Sequence, residues 1–399
     1  MFNSALKFKK YNLRYVIVIL FSFFPYVTPY SFGSDIQPWS FLSVSIFSLV
    51  VFYKNIKFKL SLAFLFILSA YSLLLLLLIA VDILSAVRSI LGYLTMSLVP
   101  FVFYYILKTN YNFFVKLLKF TTIIYFLVGV IQLLFNKTFL SFLLNRISGG
   151  DSRGVASLTV EPTFYGIICI FLILIFLTLD IKNKYKYIYL LLIQIFLLSQ
   201  SSMAILFLII YIFYYFIFKL NIKILFLSFF GFFIIYFFWF FLDLSSYNIR
   251  VFQILGQLIE NPSNIIIDGS VNERAAAIYF SISGFFDNYM LPNPIGSYSV
   301  YQNQELLKQE TFLYPTSSNR IASYYGSILF ELGVIGIVIP VVYSIIIYKA
   351  YRKNIRDVFL YIFFINTILF SAIQLSFPLV GIYMAALLYK ENYETSNNS

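Results

Sequence analysis

The chain has 399 residues, of which 61% are hydrophobic, 21% aromatic and only 11% charged, with a mean hydropathy of +0.89 and a formal net charge of +12. Soluble domains carry roughly a quarter charged residues, so a water-exposed globule is excluded. Apolar runs close to bilayer length recur from end to end, and the expected class is an all-α, polytopic integral membrane protein. The basic residues stand in short clusters between those runs instead of on one polar face, so the charge is not a nucleic-acid footprint.

The N-terminus opens on Lys7, Lys9, Lys10 and Arg14 followed by Tyr15 to Phe32. Pro25 and Pro29 interrupt this run and no small-residue cleavage site follows, so it reads as a retained first span rather than a signal peptide. Further apolar runs lie at 38–53, 60–81, 89–107, 120–135, 163–179, 187–200, 202–218, 224–242, 321–348, 358–373 and 376–389, which makes about 12 transmembrane helices. As one helix, 187–218 would extend about 48 Å against a hydrocarbon core of about 30 Å. The polar Ser199-Gln200-Ser201-Ser202 therefore splits it into a hairpin, and Gln374-Leu375-Ser376-Phe377-Pro378 splits the last stretch in the same way.

With a cytoplasmic start, the segments 7–14, 54–59, 108–119, 182–186, 219–223 and 349–356, together with Lys390, lie inside and hold 20 of the 28 basic residues. That obeys the positive-inside rule and places the C-terminus inside as well. The other eight are Arg88, Lys137, Arg146, Arg153, Arg250, Arg274, Lys308 and Arg320, six of them arginine, whereas the inside set is mostly lysine. A lysine suffices as a topological point charge; the arginine fork suits phosphate or carboxylate, so an outward site for an anionic group is expected.

Two outside loops are long, 136–162 and 243–320. Within the second, Val251, Ile254, Leu255, Leu258 and Ile259 have the spacing of an amphipathic surface helix. Ser270-Val271-Asn272-Glu273 has the form of a capping box opening a helix through about Ser283. The loop is expected to be structured.

The densest local pattern runs from Arg153-Gly154 to Glu161-Pro162. As helix grammar, Pro162 suits the first turn and Glu161 is stabilised by the helix dipole. As a site, it presents a carboxylate at the membrane interface beside an arginine able to bind a polyanionic head group. Glu273, Arg274 and Arg320 admit a similar pair of readings, capping and interfacial anchoring on one side, ligand contact on the other. Arg88, with Asp82 six residues earlier, is either an interfacial ion pair or a further anion contact. Glu331 lies ten residues inside an apolar run, where an ionisable group costs a few kcal/mol and marks a functional or paired position. Histidine is absent and Cys169 is the single cysteine. No metal-ligand spacing, phosphate-binding glycine loop or nucleophile elbow occurs, so neither metal nor other cofactor is expected.

Taken together, the roughly twelve spans, the Arg153 to Glu161-Pro162 loop, the Ser199 to Ser202 hairpin and the large late loop resemble the Wzy-type oligosaccharide repeat-unit polymerases of the O-antigen polymerase and ligase superfamily. The resemblance continues through Pro292-Asn293-Pro294-Ile295-Gly296 and Ser318-Asn319-Arg320 to Glu331-Leu332-Gly333-Val334-Ile335-Gly336. Ligases of that superfamily carry a histidine near the position of Asn319, and its absence here favours the polymerase. The resemblance implies transfer of a growing glycan from undecaprenyl pyrophosphate to a new lipid-linked repeat unit at the outer face of the bacterial inner membrane, with membrane lipid and a chain-length regulator as partners. It further implies Arg153, Arg274, Arg320 and Arg88 as pyrophosphate contacts, Glu161 as base or orienter, Glu331 as a buried structural or substrate-channel partner of an arginine, and Glu273 as a further substrate-binding residue. The competing expectations are ligase-like glycan transfer and a flippase or other transporter of lipid-linked oligosaccharide.

Overall fold

The computed structural model describes residues 13–28, 30, 35–53, 59–79, 83–146, 154–219, 269–308, 313, 321–371 and 373–396. Among them every regular element is a helix, as an apolar chain whose backbone polar groups must be satisfied within each segment requires. In chain order these are α1 (Leu13–Phe23), α2 (Trp39–Tyr53), α3 (Leu60–Ile79), α4 (Ile83–Leu134), α5 (Pro162–Thr178), α6 (Lys184–Ile193) and α7 (Ser202–Lys219). There follow α8 (Gly269–Asp287), α9 (Tyr298–Leu307), α10 (Tyr324–Leu332), α11 (Val338–Tyr351), α12 (Ile355–Ser371) and α13 (Pro378–Ser396). Among the described residues, four stretches are long and apolar enough to cross a membrane, Leu60–Leu77, Ile83–Leu134, Ser202–Lys219 and Tyr324–Tyr351. Leu13–Phe23, Trp39–Tyr53 and Pro162–Thr178 are apolar but shorter. The expected span at 224–242 and the amphipathic segment at 251–259 lie outside the described residues.

The centre of the bundle is hydrophobic on all sides, which is how a helix enclosed by other helices reads. On α5 the run from Tyr165 to Phe176 is buried without a gap, and on α13 so is the run from Pro378 to Leu388. Helix α13 packs along α4 and also touches α5 and α11, while α2 and α3 flank α4.

Residues 108–119 were expected to form an inside loop; they are helical except at Asn110, whose φ of −138° and ψ of 43° break the run. A straight helix would separate Phe103 from Phe114 by about 16 Å. Their ring centroids are 6.1 Å apart and both rings pack on Phe23. One residue therefore turns the chain back, and α4 consists of two arms meeting at Asn110.

The expected breaks at 199–202 and 374–378 are both present. Helix α6 passes into a π-helical turn over Gln194–Ser199, and Gln200 adopts a left-handed conformation before α7 begins. Both α6 and α7 pack on α5. The expected single span 321–348 is not one helix. Gly333, at φ +62°, stops α10; a Cβ there would stand 2.6 Å from the Met290 carbonyl oxygen, so the position demands glycine. A 3₁₀ turn over Gly333–Ile337 then leads into α11.

The segment after Arg153 enters the protein instead of covering it. Residues 155–160 are buried, in an irregular backbone whose polar groups need protein partners at this depth. Gln132 supplies them: its Nε2 donates to the Ser157 and Phe139 carbonyls at 2.9 Å each, and its Oε1 accepts from the Ser157 N–H at 2.6 Å. The Ser157 hydroxyl donates to the Tyr125 carbonyl at 2.8 Å, and the Val155 N–H donates to the Leu198 carbonyl at 2.8 Å. Gly154 lies against the same turn, where a Cβ would meet the Ser199 carbonyl oxygen at 2.3 Å. Replacing Gln132 by leucine orphans one buried N–H and two carbonyls at about 1–3 kcal/mol each. Gln132→Leu is expected to lose at least about 3 kcal/mol of stability, read as a clear fall in the thermal midpoint in detergent; an unchanged midpoint would contradict this anchoring role.

Candidate functional site

Ser89 and Tyr93 are one helical turn apart on the first arm of α4, so both side chains leave the same face. They meet Glu331 near the end of α10: the Ser89 hydroxyl donates to one carboxylate oxygen at 2.7 Å and the Tyr93 hydroxyl to the other at 2.9 Å. The Gly296 backbone lies beside the same carboxylate on the cavity wall and favours its charged form. Glu331 is only 4% exposed. Burial of a carboxylate costs free energy that hydrogen bonds must offset. An ionised carboxylate has about four lone-pair positions, so the two hydroxyl donors leave it room to accept a further hydrogen bond.

The Gly296 backbone is held in place by the Pro292-Asn293-Pro294-Ile295-Gly296 stretch. The Phe330 carbonyl falls in the last turn of α10, where intrahelical partners run out. It accepts from the Asn293 N–H at 3.0 Å and from Asn293 Nδ2 at 3.2 Å. Ile295 is fully buried and the Val334 N–H donates to the Met290 carbonyl at 2.9 Å. The two late sequence patterns, Pro292 to Gly296 and Glu331 to Gly336, are therefore two sides of one structure. Glu331 stands at a helix break against a loop segment, not in the middle of a continuous span.

Glu331 lines a cavity of about 260 Å³ together with Arg88, Ser89, Gly296, Tyr298 and Ser327, with segments 36–38 and 374–376 at its walls. Arg88 is half-buried and has no carboxylate partner among the described residues. Tyr298 is 4% exposed, and its hydroxyl has no hydrogen-bond partner among them. Burial pushes the Tyr298 phenol above its ordinary pKa, so it stays a neutral donor. One cation and one unspent hydroxyl donor on the wall of a small cavity fit a ligand bearing anionic or hydroxyl oxygens.

Glu161 is in the cap position of α5, with an extended backbone and Pro162 in the first turn. Its carboxylate accepts from Arg146 at 3.1 Å, and the same guanidinium grips both oxygens of Asp35 at 2.8 and 3.0 Å. These bonds, that to Asp35 foremost, raise the already high pKa of Arg146. Asp35 and the cavity-lining Gln37 are two residues apart, at most about 7 Å along the chain, so this ion cluster borders the cavity. Sequence reasoning counted Arg146 among the outside arginines without placing it at a site and passed over Asp35. Ser89, Tyr93 and Tyr298 were missed as well; only the i, i+4 spacing of Ser89 and Tyr93 beside Arg88 was a readable signal.

Glu273 and Arg274 lie on α8, exposed and half-buried respectively. That helix spans Gly269–Asp287, in line with the helix expected through about Ser283. Helix α8 packs on α10, and Ala276, Ala277 and Phe280 share a small core with Tyr298 and Phe330. Arg153 and Arg320 lie outside the described residues. Among the described residues no group of His, Cys, Asp and Glu has metal-binding geometry. No protein-family model matches the chain. No curated protein matches it either.

Tyr93→Phe removes one charge-assisted hydrogen bond from the buried carboxylate, worth about 1.5–3 kcal/mol. The expected result is a thermal midpoint several degrees lower with the helical circular dichroism retained; a midpoint equal to that of the parent would remove Tyr93 from the group holding Glu331.

Proposed function

We propose that the chain is a membrane-embedded polymerase of lipid-pyrophosphate-linked oligosaccharide repeat units, built on about twelve spans and working at the outer face of the bacterial inner membrane. The observation that carries this reading is the cavity that joins Arg88, Tyr298 and Glu331. Two of the stretches on which the family resemblance rests, Pro292 to Gly296 and Glu331 to Gly336, meet at it, and the ion cluster of Asp35, Arg146 and Glu161 borders it.

The chemistry follows from the side chains. Glycan transfer breaks the bond between the donor's anomeric carbon and its pyrophosphate, and a hydroxyl of the acceptor unit takes the phosphate's place. The departing pyrophosphate gathers negative charge. Arg88, and with it Arg153, Arg274 and Arg320, stabilises that charge through charge-assisted bonds of about 1.5–3 kcal/mol each. The neutral Tyr298 hydroxyl adds a donor that costs no proton. A free acceptor position of Glu331 takes the hydrogen of the incoming hydroxyl, which orients it for attack and draws off its proton as the new bond forms. Glu161, bonded to Arg146, shapes the rim of the site in this scheme instead of acting as the base. The cavity is slightly smaller than the roughly 300–1,000 Å³ of sites for drug-sized ligands, which suits one head group or one sugar ring with the rest of the glycan outside.

Deleting the gene separates this reading from its competitors. A missing polymerase leaves single repeat units attached to the surface acceptor, a missing ligase leaves long chains stranded on the lipid, and a missing flippase strands single units on the cytoplasmic leaflet. In the complemented strain, Arg88→Ala is expected to yield no polymer, and Arg88→Lys at least tenfold less than the parent, since it keeps the charge and loses the fork. Polymer of normal length and amount from Arg88→Ala would overturn the assignment.

A further inference from the structure

A second cavity, of about 430 Å³, lies at the other end of the bundle, lined by Tyr111, Asp180, Lys353, Tyr389, Lys390 and Tyr393 among others. The first arm of α4 measures the separation: from Arg88 to Asn110 is about 33 Å of helix, close to the thickness of a bilayer's hydrocarbon core. The elements at this end are those that the charge pattern places inside. Lys59 pairs with Glu391 at 2.6 Å, and Lys219 with Asp357 at 2.5 Å. Lys59 also senses the charges of Lys349 and Lys108. Lysines from four separate segments thus gather around one end of the molecule.

The cavity itself is more than a solvated basic face. Its floor is aromatic: the rings of Tyr111 and Tyr389 stack with centroids 5.3 Å apart. The Tyr111 hydroxyl donates to the Asp180 carbonyl at 2.9 Å, which ties the turn of α4 to the end of α5. The Lys390 ammonium sits 3.6 Å from the centre of the Tyr351 ring, so the charge is fixed at the wall by a cation–π contact. Lys353 contributes the second positive charge, and the single acidic side chain among the residues lining the cavity is Asp180, which is exposed. Amphipathic tyrosines and lysines at the level of the head groups, between helix ends, form the kind of basic pocket that takes a phosphate-bearing head group.

We infer that this cavity binds a phosphate-bearing anion at the membrane surface opposite the Arg88 cavity, with Lys353 and Lys390 pairing to the phosphate and the stacked tyrosines packing against its glycerol or acyl portion. The inference is independent of the polymerase reading, since it needs only the bilayer-length separation and the lysines. The phosphate belongs to an anionic phospholipid or to free phosphate in solution, and the ligand class is the same.

The full chain in nanodiscs of phosphatidylcholine containing a tenth phosphatidylglycerol serves as the test, with lipid retained after delipidation counted by native mass spectrometry. Phosphatidylglycerol is expected to be retained over phosphatidylcholine. Each lysine removed should lower that retention about fivefold, and Lys353→Ala with Lys390→Ala about 25-fold, from the usual worth of a basic residue near an anionic surface. Lys184→Ala with Lys186→Ala removes the same charge from the same end without touching the cavity, and should change little. Displacement of the lipid by millimolar inorganic phosphate, with no preference for the lipid, would assign the site to free phosphate and still support it. Equal retention of both lipids with no competition by phosphate, or equal losses in the two double variants, would overturn it. Circular dichroism of each variant establishes that it is folded.

Discussion

The buried carboxylate of Glu331 is the constraint on which the rest of the site depends. A charge that reaches 4% exposure inside an apolar bundle must be met by donors. Here they are Ser89 and Tyr93 on α4, with the Gly296 backbone after α8 placed beside the carboxylate. Meeting the charge therefore fixes α4, α10 and the 293–298 segment relative to one another, and the cavity is the space those three leave. The break at Gly333 belongs to the same arrangement, because a helix continuing past Leu332 would have no place for the Met290 carbonyl and the Pro292 backbone that pack there.

The second anchor works by a different physical route. Arg146 joins Asp35 to Glu161 across 111 and 15 residues of sequence through bonds to three carboxylate oxygens, in a partly exposed setting where ion pairs are individually weak. Its strength is in geometry. A fork engaging both oxygens of Asp35 fixes the 35–38 segment in orientation as well as position. Gln132 does the equivalent inside the protein, holding the 155–160 segment by neutral hydrogen bonds where a charge would be costly. The loop following Arg153 is thus held at both ends, by Gln132 near its start and by Arg146 at Glu161.

What was legible in the sequence follows a physical division. Breaks that interrupt an apolar run with several polar residues, at Ser199 to Ser202 and at Gln374 to Pro378, could be read because bilayer length makes a continuous helix impossible there. The turn at Asn110 could not be read in detail: Lys108 to Lys119 has the polarity of a loop, yet one residue of non-helical backbone reverses the chain and the rest stays helical. Gly333 gave a signal only as one glycine in an apolar stretch, and helix interiors tolerate single glycines. For the site, Arg88, Glu161 and Glu331 stood out as charges next to or inside apolar runs. Their partners did not, because Asp35 and Arg146 are 111 residues apart and Tyr298 is one of 34 tyrosines. Spatial pairing across such separations leaves no periodicity to find.

The distribution of lysine and arginine acquires a structural meaning from the two cavities. A lysine that only sets orientation across the bilayer requires no built surroundings, and Lys186 and Arg352 are exposed in that manner. Arg88 and Arg146 are different, being half-buried or engaged with carboxylates at one end of the bundle, where a planar fork matches planar partners. Some lysines are held too: Lys59 and Lys219 by Glu391 and Asp357, and Lys390 by a ring face 3.6 Å away at a cavity wall. A net charge of +12 thus resolves into two populations. Charge that orients the chain can move along the sequence with little consequence, whereas charge held by a carboxylate pair, a ring face or a cavity wall has one place where it works. The second population is where a substitution that preserves charge and alters shape separates a topological signal from a binding site.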